Sequence, residues 1–246
     1  MKPWFEQNPK LLQREKEVLA SAYPTLEIAV RAEGCRLNSQ AVLKKAAVVA
    51  QGVYSLRTKD GTVCVDYGLK LVYPPNYPRS HPVVYCDDPK LPIGILDRHI
   101  LSNGQACLGV PTDIRRRWQQ TPDIISFLDT IIAPFLAWQV HYDAFGSAPP
   151  WGERAHFGRG VIQYYAELLG LPETANIIDF MRLLARKNSP KGHEPCPCGS
   201  GKNIRTCNHR NLVETARTMV RPDHAMSDLL WILSNTRADK SRMRTD

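Results

Sequence analysis

The dipeptide Asp60-Gly61 lies between two runs of alternating residues, and it restricts the fold more tightly than any other stretch. An Asp-Gly pair accommodates the positive backbone angles of a tight reversal, so the extended segments flanking it pair antiparallel. The spacing predicts strands over 47–58 and 62–73, joined at Lys59-Asp60-Gly61. On the second strand Val63, Val65, Tyr67, Leu69, Leu71 and Tyr73 share one parity, and Asp66 and Lys70 take the other. Alternate side chains of a strand face opposite ways, so one face of the hairpin is buried and the other wet. Leu26, Ile28 and Val30 predict a strand before it, and 83–86 a short one after Pro74, Pro75 and Pro78.

Helical signals flank these strands. Asn8-Pro9 offers an N-cap and a first-turn proline, followed by Leu11, Leu12, Val18 and Leu19 at helical spacing and stopped by Pro24. Thr121-Pro122-Asp123 predicts a second start, with Thr121 as cap and Pro122 at the first position. An apolar stripe of Ile124, Phe127, Leu128, Ile131, Phe135 and Trp138 follows it, with Pro134 expected to kink the helix. Further helices are expected over 161–169 and 173–187, and a last one around 228–233. Arg115-Arg116-Arg117 is read as a basic loop, suited to an acidic or carboxylate-bearing partner or simply solvated. The Pro- and Gly-rich stretch 146–158 holds Trp151, Glu153 and His156, the last a loop-packing or partner-contacting residue.

The fold class is therefore α+β. The chain of 246 residues divides into a core over 1–187, a linker 188–192 (Asn-Ser-Pro-Lys-Gly), a cysteine motif 193–211 and a helical basic tail 212–246. The start of the chain carries no apolar targeting segment, and the run 131–140 is too short to cross a membrane. A cytoplasmic protein is expected, with no membrane partner. Its seven cysteines are then thiols or metal ligands rather than disulfides. Cys35, Cys64 and Cys86 are expected to be ordinary partly buried residues. The formal net charge is +8, and residues 182–246 hold 13 Lys/Arg against 6 Asp/Glu. Attraction to an acidic partner or to nucleic acid would belong to that part.

Cys107 has the distinctive setting. It follows the turn signal Ser102-Asn103-Gly104, in which Gly104 can take angles closed to other residues, and His99 stands eight positions before it. That pattern predicts a chain reversal presenting the thiol at a loop mouth. An accessible thiolate is a nucleophile and forms thioesters that keep an acyl group activated.

From Tyr73-Pro74-Pro75-Asn76-Tyr77-Pro78-Arg79-Ser80-His81-Pro82-Val83-Val84-Tyr85 through Cys107-Leu108 to Trp118, the chain resembles the ubiquitin-conjugating enzymes, and its bacterial branch in particular. The resemblance covers about residues 10–170. It implies an N-terminal helix, an antiparallel meander, an active-site loop with Cys107 as the thioester cysteine, and C-terminal helices. Asp97-Arg98-His99 occupies the place of the family's His-Pro-Asn triplet, so His99 stands where the asparagine would be. His99 is then a candidate donor to the oxyanion, or a brace of the loop. The resemblance further implies a protein C-terminus as partner: a cGAS-like nucleotidyltransferase in antiphage signalling of the CBASS type, or a ubiquitin-like protein. No phosphate-cradling glycine loop is present, so activation would fall to a separate activating enzyme.

Pro195-Cys196-Pro197-Cys198-Gly199-Ser200-Gly201-Lys202-Asn203-Ile204-Arg205-Thr206-Cys207-Asn208-His209 closely resembles the SEC-C motif, a small zinc-binding appendage. That resemblance implies Zn2+ held by Cys196, Cys198, Cys207 and His209. Asn208 places the histidine one position later than the motif has it, and His193 is the alternative fourth ligand. Two other classes of function stand beside the acyltransferase. One is an inactive conjugating-like scaffold, which the changed triplet favours. The other is a nucleic-acid adaptor acting through the basic zinc-knuckle region, which a salt-dependent affinity surviving loss of Cys107 would reveal.

Overall fold

The computed structural model describes residues 2–118, 121–150 and 153–242, with side chains as far as 234. Trp151 and the side chains of the basic tail beyond 234 lie outside the described residues. The chain forms two compact units, one of residues 1–108 and 117–151, the other of 109–116 and 152–246.

The first unit contains α1 (Trp4–Gln7), α2 (Pro9–Ala22) and four strands, β1 (Leu26–Arg31), β2 (Ala47–Arg57), β3 (Val63–Val72) and β4 (Val83–Cys86). They form one antiparallel meander in the order β1-β2-β3-β4. The expected hairpin closes at Asp60-Gly61, where Thr58 N donates to Thr62 O at 2.9 Å and Thr62 N to Asp60 Oδ1 at 3.2 Å. Parity decides burial: Tyr67, Leu69, Leu71 and Tyr73 are buried, while Val63, next to the turn, is exposed. Asn8 caps α2 by accepting from Leu11 N at 3.1 Å. The short α1, which no periodic signal announces, buries Trp4 against the rings of Tyr73 and Tyr77. Glu15 of α2 is buried, accepting from Tyr73 Oη at 3.4 Å and from Ile124 N at 3.2 Å. Burial raises its pKa above the ordinary carboxylate value.

The helix expected from Thr121 begins later. Asp123 is the cap, accepting from Ser126 N at 2.7 Å, so α4 runs Ile124–Phe127 and the Thr121-Pro122 pair precedes it. A π-helical turn at Leu128–Ile132 leads into α5 (Ala133–Phe145). Pro134 has no N–H for Thr130 O, four residues before it, and the extra residue of a π turn absorbs that break. Arg117 Nη1 lies 3.4 Å from Thr130 O and supplies a donor. The continuous helix 124–145 corrects the expectation of a short apolar run: among the described residues it is the one helix long and apolar enough to cross a membrane. Its Ile124, Phe127, Leu128, Ile131, Ile132 and Leu136 are packed inside the first unit as a core helix would be.

The segment 109–116 opens α3 (Pro111–Trp118), which corrects the reading of Arg115–Arg117 as a loop. Pro111 at the helix start, Asp113 in the first turn and the Asp113–Arg116 ion pair at 3.1 Å explain why it is helical. The rest of the second unit is α6 (Phe157–Leu169), α7 (Ile177–Leu184), α8 (Arg210–Met219) and α9 (Pro222–Arg242). α7 starts later than expected because Pro172–Ala175 closes a turn first, Ala175 N donating to Pro172 O at 2.9 Å. Helices α8 and α9 extend well beyond the single helix expected around 228–233. Tyr165, Phe180, Leu184, Val213 and Leu229 share one core with Cys196, Ile204 and Cys207. The linker 188–192 therefore does not separate two cores, and the division of the chain falls near residue 151 rather than at 188.

Candidate functional sites: the Cys107 hairpin and a metal centre

Cys107 is exposed and sits at the foot of a small hairpin. Gly104 N donates to Leu101 O at 2.8 Å, and Leu101 N to Gln105 O at 2.9 Å. Gly104 takes φ +76°, the left-handed position that follows a three-residue reversal. Ile100 bridges Ala106, and one step further Cys107 N donates to His99 O at 2.7 Å. His99 and Cys107 are thus neighbours across the ladder, although eight residues separate them in sequence. The outer arm also extends the sheet. Ala106 N donates to Val84 O and Cys86 N to Gly104 O, both at 2.9 Å, so residues 104–106 run antiparallel to β4. The expected chain reversal before an accessible thiol is present.

His99 follows a short 3-10 turn, Leu96–Arg98, and itself takes φ +54°. A non-glycine residue held there stores strain of about 1–2 kcal/mol, which the surroundings must offset. The His99 ring meets Trp138 edge-on at 5.1 Å between centroids, and the His99 backbone N–H donates to Leu96 O at 2.8 Å. Arg98 pairs with Asp143 and lies over the ring of Tyr142 at 5.0 Å.

Two residues that sequence reasoning missed hold this hairpin. Asn38, in the β1–β2 connection and 5% exposed, donates Nδ2 to Cys86 O at 3.2 Å and to Asn103 O at 3.1 Å. Its Oδ1 accepts from Gln40 N at 2.8 Å. Gln139 of α5, fully buried, donates Nε2 to Arg98 O at 2.8 Å. Neither residue lies in a periodic pattern that would mark it; the one sequence trace of Asn38 is the obligatory glycine at 104.

Of the other cysteines of the first unit, two depart from the expectation of partial burial. Cys35 fits it, but Cys64 is exposed and Cys86 fully buried, with its pKa pushed up to about 12 by desolvation. In the second unit Glu153 and His156 lie together ahead of α6, their donor atoms within 4.8 Å.

The cysteine motif forms a compact donor set. The ligand atoms of Cys196, Cys198, Cys207 and His209 all lie within 4.8 Å of one another. Gly199 and Gly201, at φ +76° and +72°, turn the chain between the first two cysteines and the third. Cys196 N donates to Lys202 O at 2.9 Å, and Asn203 caps the following 3-10 turn through Thr206 N at 3.1 Å. Cys198 Sγ stands 3.5 Å from Cys207 Sγ, and Cys207 Sγ 3.4 Å from His209 Nδ1. A tetrahedral ion with metal–sulfur bonds of about 2.3 Å would set such edges near ~3.8 Å for S···S and ~3.6 Å for S···N. The four groups therefore fit one metal ion. The extra residue Asn208 is accommodated because His209 is the residue entering α8, where its ring turns back to Cys207. The Ser200 hydroxyl lowers the Cys198 pKa, the His209 backbone N–H lowers that of Cys207, and burial raises that of Cys196. Cys207 in turn raises the pKa of His209.

No family model, curated protein or solved structure matches the chain.

Proposed function

We propose that the protein is a cytoplasmic acyltransferase of the ubiquitin-conjugating kind, in which Cys107 carries a partner protein's C-terminal acyl group as a thioester and passes it to an amine. The observation that carries this reading is the seat of Cys107: an exposed thiol just after a short segment bridged to β4, beside His99 across a closed hairpin. In the first step the Cys107 thiol loses its proton to water, and the thiolate attacks the acyl carbonyl of a thioester on a separate activating enzyme. The new C–S bond forms as the donor's C–S bond breaks, and the donor leaves as a thiolate. In the second step an amine attacks the Cys107 thioester; the C–N bond forms, Cys107 leaves as thiolate and the amine's surplus proton passes to water. Each step passes through an oxyanion that needs a fixed hydrogen-bond donor, the role open to His99. The acyl donor suggested by the sequence resemblance is the C-terminus of a cGAS-like nucleotidyltransferase in CBASS-type antiviral signalling, or a ubiquitin-like protein. The metal centre is a structural zinc site, because three thiolates and an imidazole with no open position suit Zn2+.

A second reading, a conjugating-like scaffold without activity, draws on the packing of the His99 ring against Trp138, which suits a brace as well as a donor. Incubation with partner and activating enzyme, followed by a non-reducing gel, separates the two. Wild type should give an adduct cleaved by thiol reductant, Cys107→Ser an adduct resistant to it, and Cys107→Ala none. Conjugation by Cys107→Ala would overturn the reading.

A further inference from the structure

We propose that Asn38 and Gln139 are the positioning residues of Cys107, two buried amides that lock the hairpin before any partner arrives. This rests on the reading of Cys107 as the acyl carrier. The hairpin has a backbone attachment at its middle, where Ala106 and Gly104 bond β4. That attachment leaves the turn and the stem to be fixed. Asn38 fixes the turn, joining Asn103 O to Cys86 O at the end of β4 with its two N–H groups. Gln139 fixes the stem through Arg98 O, one residue before His99. The bond from Cys107 N to His99 O passes that restraint to the nucleophile.

The side-chain type matters at both places. A primary amide carries two N–H donors and no charge, so it can satisfy buried carbonyls without the desolvation cost of a lysine or arginine. Asn38 also needs room. A Cβ on Gly104 would stand 2.1 Å from Asn38 Nδ2, so asparagine in this place at 38 requires glycine at 104. Acyl transfer depends on the reacting atoms meeting in register, and a displacement of about 1 Å costs on the order of 100-fold in rate.

The test uses the full chain with Asn38→Leu and Gln139→Leu, which keep bulk but remove the donors, and Asn38→Asp as a second variant of the same shape. Hydrogen exchange at the amides of Leu101, Gly104 and Cys107 reads the hairpin directly, with amides of β2 and β3 as the reference for intact folding. Single-turnover discharge of the Cys107 thioester to free amine, against the extent of loading, reads the chemistry. We expect hairpin amides to exchange at least about 10-fold faster, beyond any change they share with the β2–β3 amides. Discharge should slow by about 10- to 100-fold once each variant has been loaded to the wild-type extent. Hairpin exchange at the wild-type rate in a folded variant would overturn the proposal, and so would wild-type discharge despite loosened amides. Should wild-type Cys107 carry no acyl group, the functional reading falls by itself. Hairpin exchange, together with the rate of Cys107 alkylation by iodoacetamide, then decides whether the amides position the thiol.

Discussion

Substitution of Gly104 by alanine tests the geometry of the Cys107 hairpin with a magnitude the structure sets. Two costs add. At φ +76° an alanine is forced into the left-handed region, a strain of about 1–2 kcal/mol. Its Cβ would also fall 2.1 Å from Asn38 Nδ2, 3.0 Å from Asn38 Cγ and 3.1 Å from Ile93 Cδ1. The amide must withdraw and give up its bonds to Cys86 O and Asn103 O, each contributing about 1 kcal/mol net. The expected total is about 3–4 kcal/mol. Gly34→Ala supplies the control within the same unit: φ is +81° but nothing lies within 4 Å of its Cβ, so only the strain remains. The two variants should differ by about 2 kcal/mol, on the order of 30-fold in opening equilibrium. Native-state hydrogen exchange at the slowest amides of β2 and β3 measures both on one scale. Equal losses, to within about 0.5 kcal/mol, would refute the claim that Asn38 and Gly104 interlock.

Three further outcomes are expected. Elemental analysis should find about one zinc per chain, and His209→Ala or Cys207→Ser should lose it. Because Cys196, Ile204 and Cys207 share a core with α6 and α7, chelation should loosen that core rather than the segment 193–209 alone, seen as faster exchange in α7; a full metal complement in both variants would remove the assignment. Glu15 has a raised pKa because it is buried, so the folded state holds its proton more tightly than the unfolded chain. Its contribution is fully present below the unfolded value of 4.5 and is lost as pH rises through the folded value. Glu15→Gln should remove that part of the pH dependence and leave the variant relatively more stable at neutral pH; urea midpoints falling in parallel for both proteins between pH 4.5 and 7.5 would contradict it. His99→Ala should slow thioester discharge by roughly 100- to 1000-fold if its ring serves the oxyanion, with His99→Asn recovering part of the rate. Discharge at the wild-type rate in His99→Ala would leave His99 as a brace against Trp138.

Features governed by neighbours in sequence were legible before any coordinates. Asp60-Gly61 and the parity of Tyr67, Leu69 and Leu71 determine a hairpin with one buried face, because side-chain direction in a strand alternates whatever packs against it. Asn8 caps α2 through a bond only three residues long, and the spacing of Cys196, Cys198 and Cys207 closes a donor set across a short glycine turn. Pro111 and Asp113 likewise open the helix over Arg115–Arg117 from within its own first turn. Tertiary structure decided the rest: the core shared by α6, α7 and the metal segment overrode the linker's composition. The supports of the Cys107 hairpin were equally hidden, since Asn38 reaches Asn103 across 65 residues and Gln139 reaches Arg98 across 41. A single hydrogen bond from a polar side chain to a distant carbonyl leaves no period and no cap. Such a bond exists only after the sheet and α5 have brought those residues together.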